Sequence, residues 1–334
     1  MKRKLAFLLM LCFGWSFFLN GCGGTLPKTD DRLQVVCTIF PEYDWARQLT
    51  QGVDNVDLTL LVKNGTDLHS YQPSVRDIAM IARADVFCYV GGVSDTWVND
   101  VLDTTENRTA QLVSMAEAAD ADEEVLAEGM QAEHEHEHEH EHEHHDDEND
   151  SHEEPPELDE HVWLSLRRAA LACTAMKEAL CKADPAHEDI YNQNCTDYLQ
   201  KLQELDSDFT EMTLQAARDT IVVADRFPFR YLAEDYGLTY YAAFPGCSAE
   251  TEASFETIVF LSEKVESLHL PCVLVTEGSN SSLAKTILEN AGSDGKILTL
   301  QSLQAVSQKE IDTGVTYLSK MQENYDVLKQ ALNS

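Results

Sequence analysis

Hydrophobic positions fall into two series in which short apolar runs alternate with stretches of helical spacing. The first series opens on Leu33–Phe40 (LQVVCTIF), a mostly apolar run of strand length that reads as a buried strand. Pro41 breaks it, and EYDWARQLTQG then reads as a helix ended by Gly52. Val56–Val62 predicts a second strand, Val75–Arg83 a helix, and Ala84–Val90 a third strand closed by Gly91 and Gly92. Trp97–Thr104 predicts a short helix and Thr109–Val113 a fourth strand. The second series predicts strands at Thr220–Ala224, Thr239–Phe244, Cys272–Thr276 and Ile297–Leu300. Helices are expected between and after them, at Phe229–Tyr236, Ser254–Leu268, Ser282–Asn290 and Gly314–Leu332. Such alternation implies an α/β protein of two lobes, each with a mostly parallel sheet flanked by helices.

Between the series, Leu166–Lys182 is an apolar, Ala-rich helix, and Asp184-Pro185 is a strong helix start. No Gly or Pro then occurs before Pro228, and Ile190, Tyr191, Tyr198, Leu199, Leu202, Leu205, Phe209 and Met212 keep helical spacing. A helix from Pro185 to about Ala217 would be roughly 48 Å long at 1.5 Å per residue. That length predicts one rigid helix joining the two lobes. The expected organisation is therefore a signal segment at 1–22, a tether at 23–32, an N-terminal lobe at 33–183, the linking helix at 184–217 and a C-terminal lobe at 218–334.

The chain has 334 residues, 43% of them hydrophobic, and a formal charge of −35. From Glu117 to Glu160 there are 21 Asp and Glu and no Lys or Arg, which leaves −14 on the rest. This balance argues against nucleic acid, whose phosphates need Lys and Arg, and suits a cation. Positions 117–158 have too few apolar residues to bury and are expected to be disordered without metal. MKRK followed by an apolar stretch to Leu19 and then Asn20-Gly21-Cys22 resembles a bacterial lipobox, so Cys22 is expected to carry lipid and hold the chain on the outer face of the cell membrane. Cys12 lies in the signal segment, and the seven cysteines after Cys22 include no CxxC pair; several lie in apolar runs and read as small buried hydrophobes.

The acidic insertion also alternates His with Glu, at His134, His136, His138, His140, His142, His144 and His145. Charge alone would be met by Asp and Glu, so the imidazoles point to metal capture at many weak, interchangeable sites. Two other histidines follow strand ends beside acids: His69 in TDLH and His161 in DEHVWLS. Loops at the carboxyl ends of parallel strands are where open α/β sheets bind ligands, although either histidine alone could be a satisfied polar group on a lobe surface.

GTDLHSYQPS with DIAMIARADVFCYVGG, the His-rich insertion leading into DEHVWLS, and YLAEDYGL after the long helix are similar to the zinc/manganese solute-binding lipoproteins of ABC transporters. The resemblance covers almost all the mature chain. It implies a monomeric, non-enzymatic receptor that binds zinc, or manganese, between two lobes and delivers it to an ABC permease and its ATPase. By position, His69 and His161 match the first two metal ligands of that family. Its third ligand falls on Arg226, which cannot donate to a cation; Asp225, one residue earlier, is the candidate replacement. Glu277 in TEGSNSS is the candidate acid at a strand end, and Glu252, read as the first-turn acid of a helix, is a further alternative. Two other functions stay open at this point. One is a zinc-dependent hydrolase, although neither HExxH nor GxSxG occurs. The other is a surface adhesin or metal buffer that relies on the His-rich run.

Overall fold

The computed structural model describes residues 32–333 except positions 64, 65, 67, 106–108, 131–157 and 249–251. Cys22, most of the expected tether, and the histidine run from His134 to His145 lie outside the described residues.

The first apolar series forms four parallel strands, β1 (Leu33–Cys37), β2 (Val56–Leu60), β3 (Val86–Tyr89) and β4 (Gln111–Ser114), in the order β2-β1-β3-β4. Val35 and Cys37 of β1 and Val86 to Cys88 of β3 are fully buried, because helices cover both faces of a parallel sheet. The second series repeats the winding with β5 (Thr220–Phe227), β6 (Thr239–Pro245), β7 (Cys272–Thr276) and β8 (Lys296–Leu300), in the order β6-β5-β7-β8. In each sheet the order reverses beside the first strand of the series, so the binding crevices open beyond the carboxyl ends of β1/β3 and β5/β7. β5 runs three residues past the expected end. Its pairing with β6 shifts register between Val223 and Arg226, a bulge of the kind that re-aims side chains at a strand end.

The long helix spans Glu188–Leu214, 27 residues and so about 40 Å. It is shorter than expected at both ends: Pro185–His187 form a separate 3-10 turn, and the helix caps at Gln215 rather than reaching Ala217. The Asp184 carboxylate fixes that turn by accepting from Tyr191 Oη at 2.8 Å and pairing with His187 Nδ1 at 2.6 Å. Tyr191, Cys195, Tyr198, Leu202, Leu205, Phe209 and Met212 form its buried stripe, in alternating steps of four and three. Each large apolar side chain so covered contributes about 1.5–3 kcal/mol. The stripe packs against helices Phe40–Leu49 and Leu166–Ala183 of the first half and against Tyr317–Asn333, which ends the second.

Hydrogen bonds among Asp44, Trp163, Ser302 and Tyr317 fasten the halves together. The Tyr317 backbone N–H donates to Asp44 Oδ2 at 2.7 Å, its hydroxyl donates to the Trp163 carbonyl at 2.6 Å, and the Trp163 indole donates to the Ser302 carbonyl at 2.8 Å. Trp163 and Tyr317 are both fully buried, so each bond is protected from water.

The flanks of the acidic insertion are ordered, contrary to the expectation for 117–158. Helix Met115–Ala118 buries Met115 and Ala116, and Glu123 bridges Leu158 in antiparallel fashion. Backbone groups there find partners on the second half. Asp122 N–H donates to Tyr231 Oη at 2.9 Å, that hydroxyl donates to the Asp159 carbonyl at 2.7 Å, and Arg230 reaches the Glu123 carbonyl. Few apolar side chains are needed when the backbone is satisfied in this way. All seven cysteines between Cys37 and Cys272 are unpaired.

Candidate metal centre

His69 sits in the 3-10 turn Leu68–Ser70 in the connection after β2, pinned by the fully buried Leu68. His161 precedes a second 3-10 turn, Val162–Leu164, whose three apolar side chains are all buried and draw the imidazole inside with them. The two rings meet with centroids 5.7 Å apart. Glu160 completes the group: ligand atoms of His69, Glu160 and His161 lie within 4.8 Å of one another, the one such His/Cys/Asp/Glu group among the described residues. Donors about 2.0–2.1 Å from a tetrahedral zinc ion stand about 3.3 Å apart, so small side-chain adjustments close the group on one ion.

Hydrogen bonds set the direction of both imidazoles. Asp159 Oδ1 holds His161 Nδ1 at 2.9 Å and accepts from the His161 backbone N–H at 3.1 Å. That carboxylate fixes the proton on Nδ1 and leaves the lone pair on Nε2, which is buried without a hydrogen-bond partner. An unpartnered acceptor in the interior is costly unless something electropositive reaches it. Ser94 Oγ lies 2.6 Å from His69 Nδ1 and makes a very short contact with Glu160 Oε1, while the Ser94 N–H donates to Glu160 Oε2 at 3.0 Å. A serine has one proton. With Glu160 ionised, Ser94 gives it to the carboxylate and accepts from His69 Nδ1–H, which again leaves Nε2 as the donor.

Two glycines make this packing possible. A Cβ at Gly92 would stand 2.2 Å from Glu160 Oε2, and one at Gly246, just past β6, would stand 2.9 Å from His161 Cε1. The site lies in an acidic interior. Burial and the charge of Glu160 push the Asp95 carboxyl up to about 7, and burial with the charge of Asp95 pushes Glu42 up to about 8. Burial also raises the Glu160 carboxyl. His161 is raised even though burial itself works against its charge, because Asp159, Glu160 and Glu124 surround it. Buried carboxyls held above their ordinary range mark a place short of positive charge.

The other expected acids do not join the group. Asp225 is taken up at the bulge of β5, where it accepts from Thr276 Oγ1 at 2.7 Å and from the Arg226 N–H at 2.9 Å, tying β5 to β7. Glu277 accepts from the Ser302 N–H at 2.6 Å and Ser302 Oγ at 2.7 Å, tying the end of β7 to the chain beyond β8. Glu252 is exposed and lies before the helix cap Ser254; the first-turn acid of that helix is Glu256. Sequence reasoning treated Glu160 only as an acid beside His161. Its signal was the unbroken triplet Asp159-Glu160-His161 ahead of an apolar turn, which puts one acid on the ring and sends the next across the site.

Two α/β lobes of the same winding, with imidazoles and buried carboxylates gathered at the carboxyl ends of their strands, define a bilobal cation-binding protein. The family described as "Zinc-uptake complex component A periplasmic" matches residues 35–331, and the chain belongs to it. It is 31% identical over 330 residues to the zinc-binding lipoprotein AdcA of Streptococcus pneumoniae (strain ATCC BAA-255 / R6), across 99% of this chain and 61% of that protein. This chain thus spans about three-fifths of the length of its streptococcal relatives. It is 30% identical to the high-affinity zinc uptake system protein ZnuA of Bacillus subtilis (strain 168), across 98% of this chain and 96% of that protein. The crystal structure of the Zn(II)-bound ZnuA-like domain of Streptococcus pneumoniae AdcA superposes with a TM-score of 0.69 at 28% identity, over 91% of this chain and all of that one.

Proposed function

We propose that this chain is the extracytoplasmic zinc receptor of an ABC-type importer: it binds one zinc ion tightly and passes it to the membrane permease driven by the cognate ATPase. The observation that carries the reading is the convergence of His69 and His161, from separate loops, around a buried Nε2 that has no protein partner. His69 and His161 supply nitrogen through Nε2, and Glu160 is the nearest carboxylate oxygen. This mixed set suits zinc. Kinship with zinc-binding and zinc-uptake proteins supports the same assignment. Among the described residues no helix is long and apolar enough to cross a membrane; attachment falls to Cys22 as a lipid anchor. The His-rich run gathers ions near the site.

A hydrolase would need a free base and an open coordination position for water. Here the Glu160 carboxylate is engaged by Ser94 and the His161 ring is enclosed, which favours a receptor. Elemental analysis of the purified protein, with calorimetric titration of zinc and manganese, tests the reading. One tight zinc equivalent is expected, and it should persist when residues 131–153 are deleted. Loss of all tight binding in that deletion would leave only a buffer.

A further inference from the structure

We infer that Tyr231 is a positioning residue for zinc, an inference that rests on the receptor reading: its hydroxyl reaches over from the second lobe and fixes the backbone that aims the His161 ring. Tyr231 lies on the short helix Arg230–Asp235 and is fully buried. Two guanidinium groups face its ring, with Cζ of Arg168 4.2 Å and Cζ of Arg230 5.5 Å from the ring centre. Arg168 comes from the first lobe and also pairs with Asp122 at 2.6 Å. Packing and cation–π attraction thus hold the ring in place, and the direction of its hydroxyl is set with it.

That hydroxyl meets the junction of two stretches of chain. The Asp159 N–H donates to the Asp122 carbonyl at 2.9 Å, which joins them. Tyr231 Oη accepts from the Asp122 N–H at 2.9 Å and donates its own proton to the Asp159 carbonyl at 2.7 Å. Burial pushes the phenol up to about 12, so the proton is present at neutral pH. Asp159 is therefore tied at its N–H and at its carbonyl, and its carboxylate holds His161 Nδ1 at 2.9 Å from a fixed base. A carboxylate that orients a metal-binding imidazole aims only as well as the backbone that carries it. Tyr231 acts on zinc through Asp159, without touching the ion.

Tyr231→Phe keeps the ring and both of its cation–π partners and removes one oxygen. In calorimetric titration of the full chain this variant should bind zinc about tenfold more weakly. Because the effect passes through Asp159, adding Tyr231→Phe to Asp159→Asn should cost no further affinity. Unchanged zinc affinity in Tyr231→Phe, or losses that multiply in the double variant, would overturn the positioning role and leave the receptor reading standing. Linkage requires the converse effect in the unmutated chain: one equivalent of zinc should slow hydrogen exchange of the Asp122 amide about tenfold. That measurement decides the matter even where a variant folds poorly, since an amide exchanging equally fast with and without zinc would also overturn the role. Failure of the unmutated chain to hold any zinc tightly would remove both readings.

Discussion

The two halves repeat one winding and treat their acids in opposite ways. At the carboxyl ends of the first sheet, Glu42, Asp95 and Glu160 are buried together, and two of them are held at about 8 and about 7. At the carboxyl ends of the second, Asp225 accepts from the Arg226 N–H and from the Thr276 N–H and hydroxyl, and Glu277 from the Ser302 N–H and hydroxyl, all within their own lobe. One half keeps charge in reserve for a cation; the other uses its carboxylates as fasteners. Similar residues at matching points of a repeated fold thus serve binding on one side and architecture on the other, and what separates them is crowding: in the first half Asp95 feels the charge of Glu160, and Glu42 that of Asp95, even though each also accepts backbone hydrogen bonds.

Breaking the first half should cost the most binding. His161→Ala is expected to weaken zinc at least a hundredfold by calorimetry while far-ultraviolet circular dichroism stays unchanged. Asp159→Asn, which leaves the ring in place but loosens its tautomer, should weaken zinc about 10–100-fold.

The reserve of buried acid has its own signature in the metal-free protein. Glu42 sits at about 8 when folded against an ordinary 4.5, so the fold binds that proton more tightly than the unfolded chain does. Its contribution is complete below pH 4.5 and is lost as pH rises to about 8. Urea unfolding should therefore show stability falling by a few kcal/mol between pH 5 and pH 8, and Glu42→Gln should flatten that slope.

The smallest effect on binding is expected in the second half. Asp225→Ala and Glu277→Ala should each lower stability by about 1–3 kcal/mol, since each removes a charged acceptor from part-buried donors. Zinc affinity should change less than threefold in either. A hundredfold loss in Glu277→Ala would erase the contrast between the halves.

Much of the frame was legible in the pattern of apolar positions. Both parallel sheets follow from runs such as Val35 to Cys37 and Val273 to Val275, buried on both faces, because periodicity and burial are set locally. The long helix was legible for the same reason, although its first turn was not: the Asp184 contacts that set Pro185–His187 apart come from side-chain geometry. His69 and His161 stood out because each follows a strand end beside acids. Asp225 and Glu277 were ambiguous because a carboxylate at a strand end looks the same in sequence whether it faces an ion or a neighbouring hydroxyl. The ordered flanks of the insertion were hidden because their partners, Arg230 and Tyr231, lie in the other half of the chain.

The rivet through Trp163 has a mechanical consequence. The residue two places beyond His161 is clamped by the Ser302 carbonyl at its indole and by the Tyr317 hydroxyl at its own carbonyl. Any swing of one half therefore drags the His161 ring with it. His69, on a three-residue turn with 15% of its side chain open to water, is by contrast the member of the group that faces solvent, while Glu160 and His161 are fully enclosed.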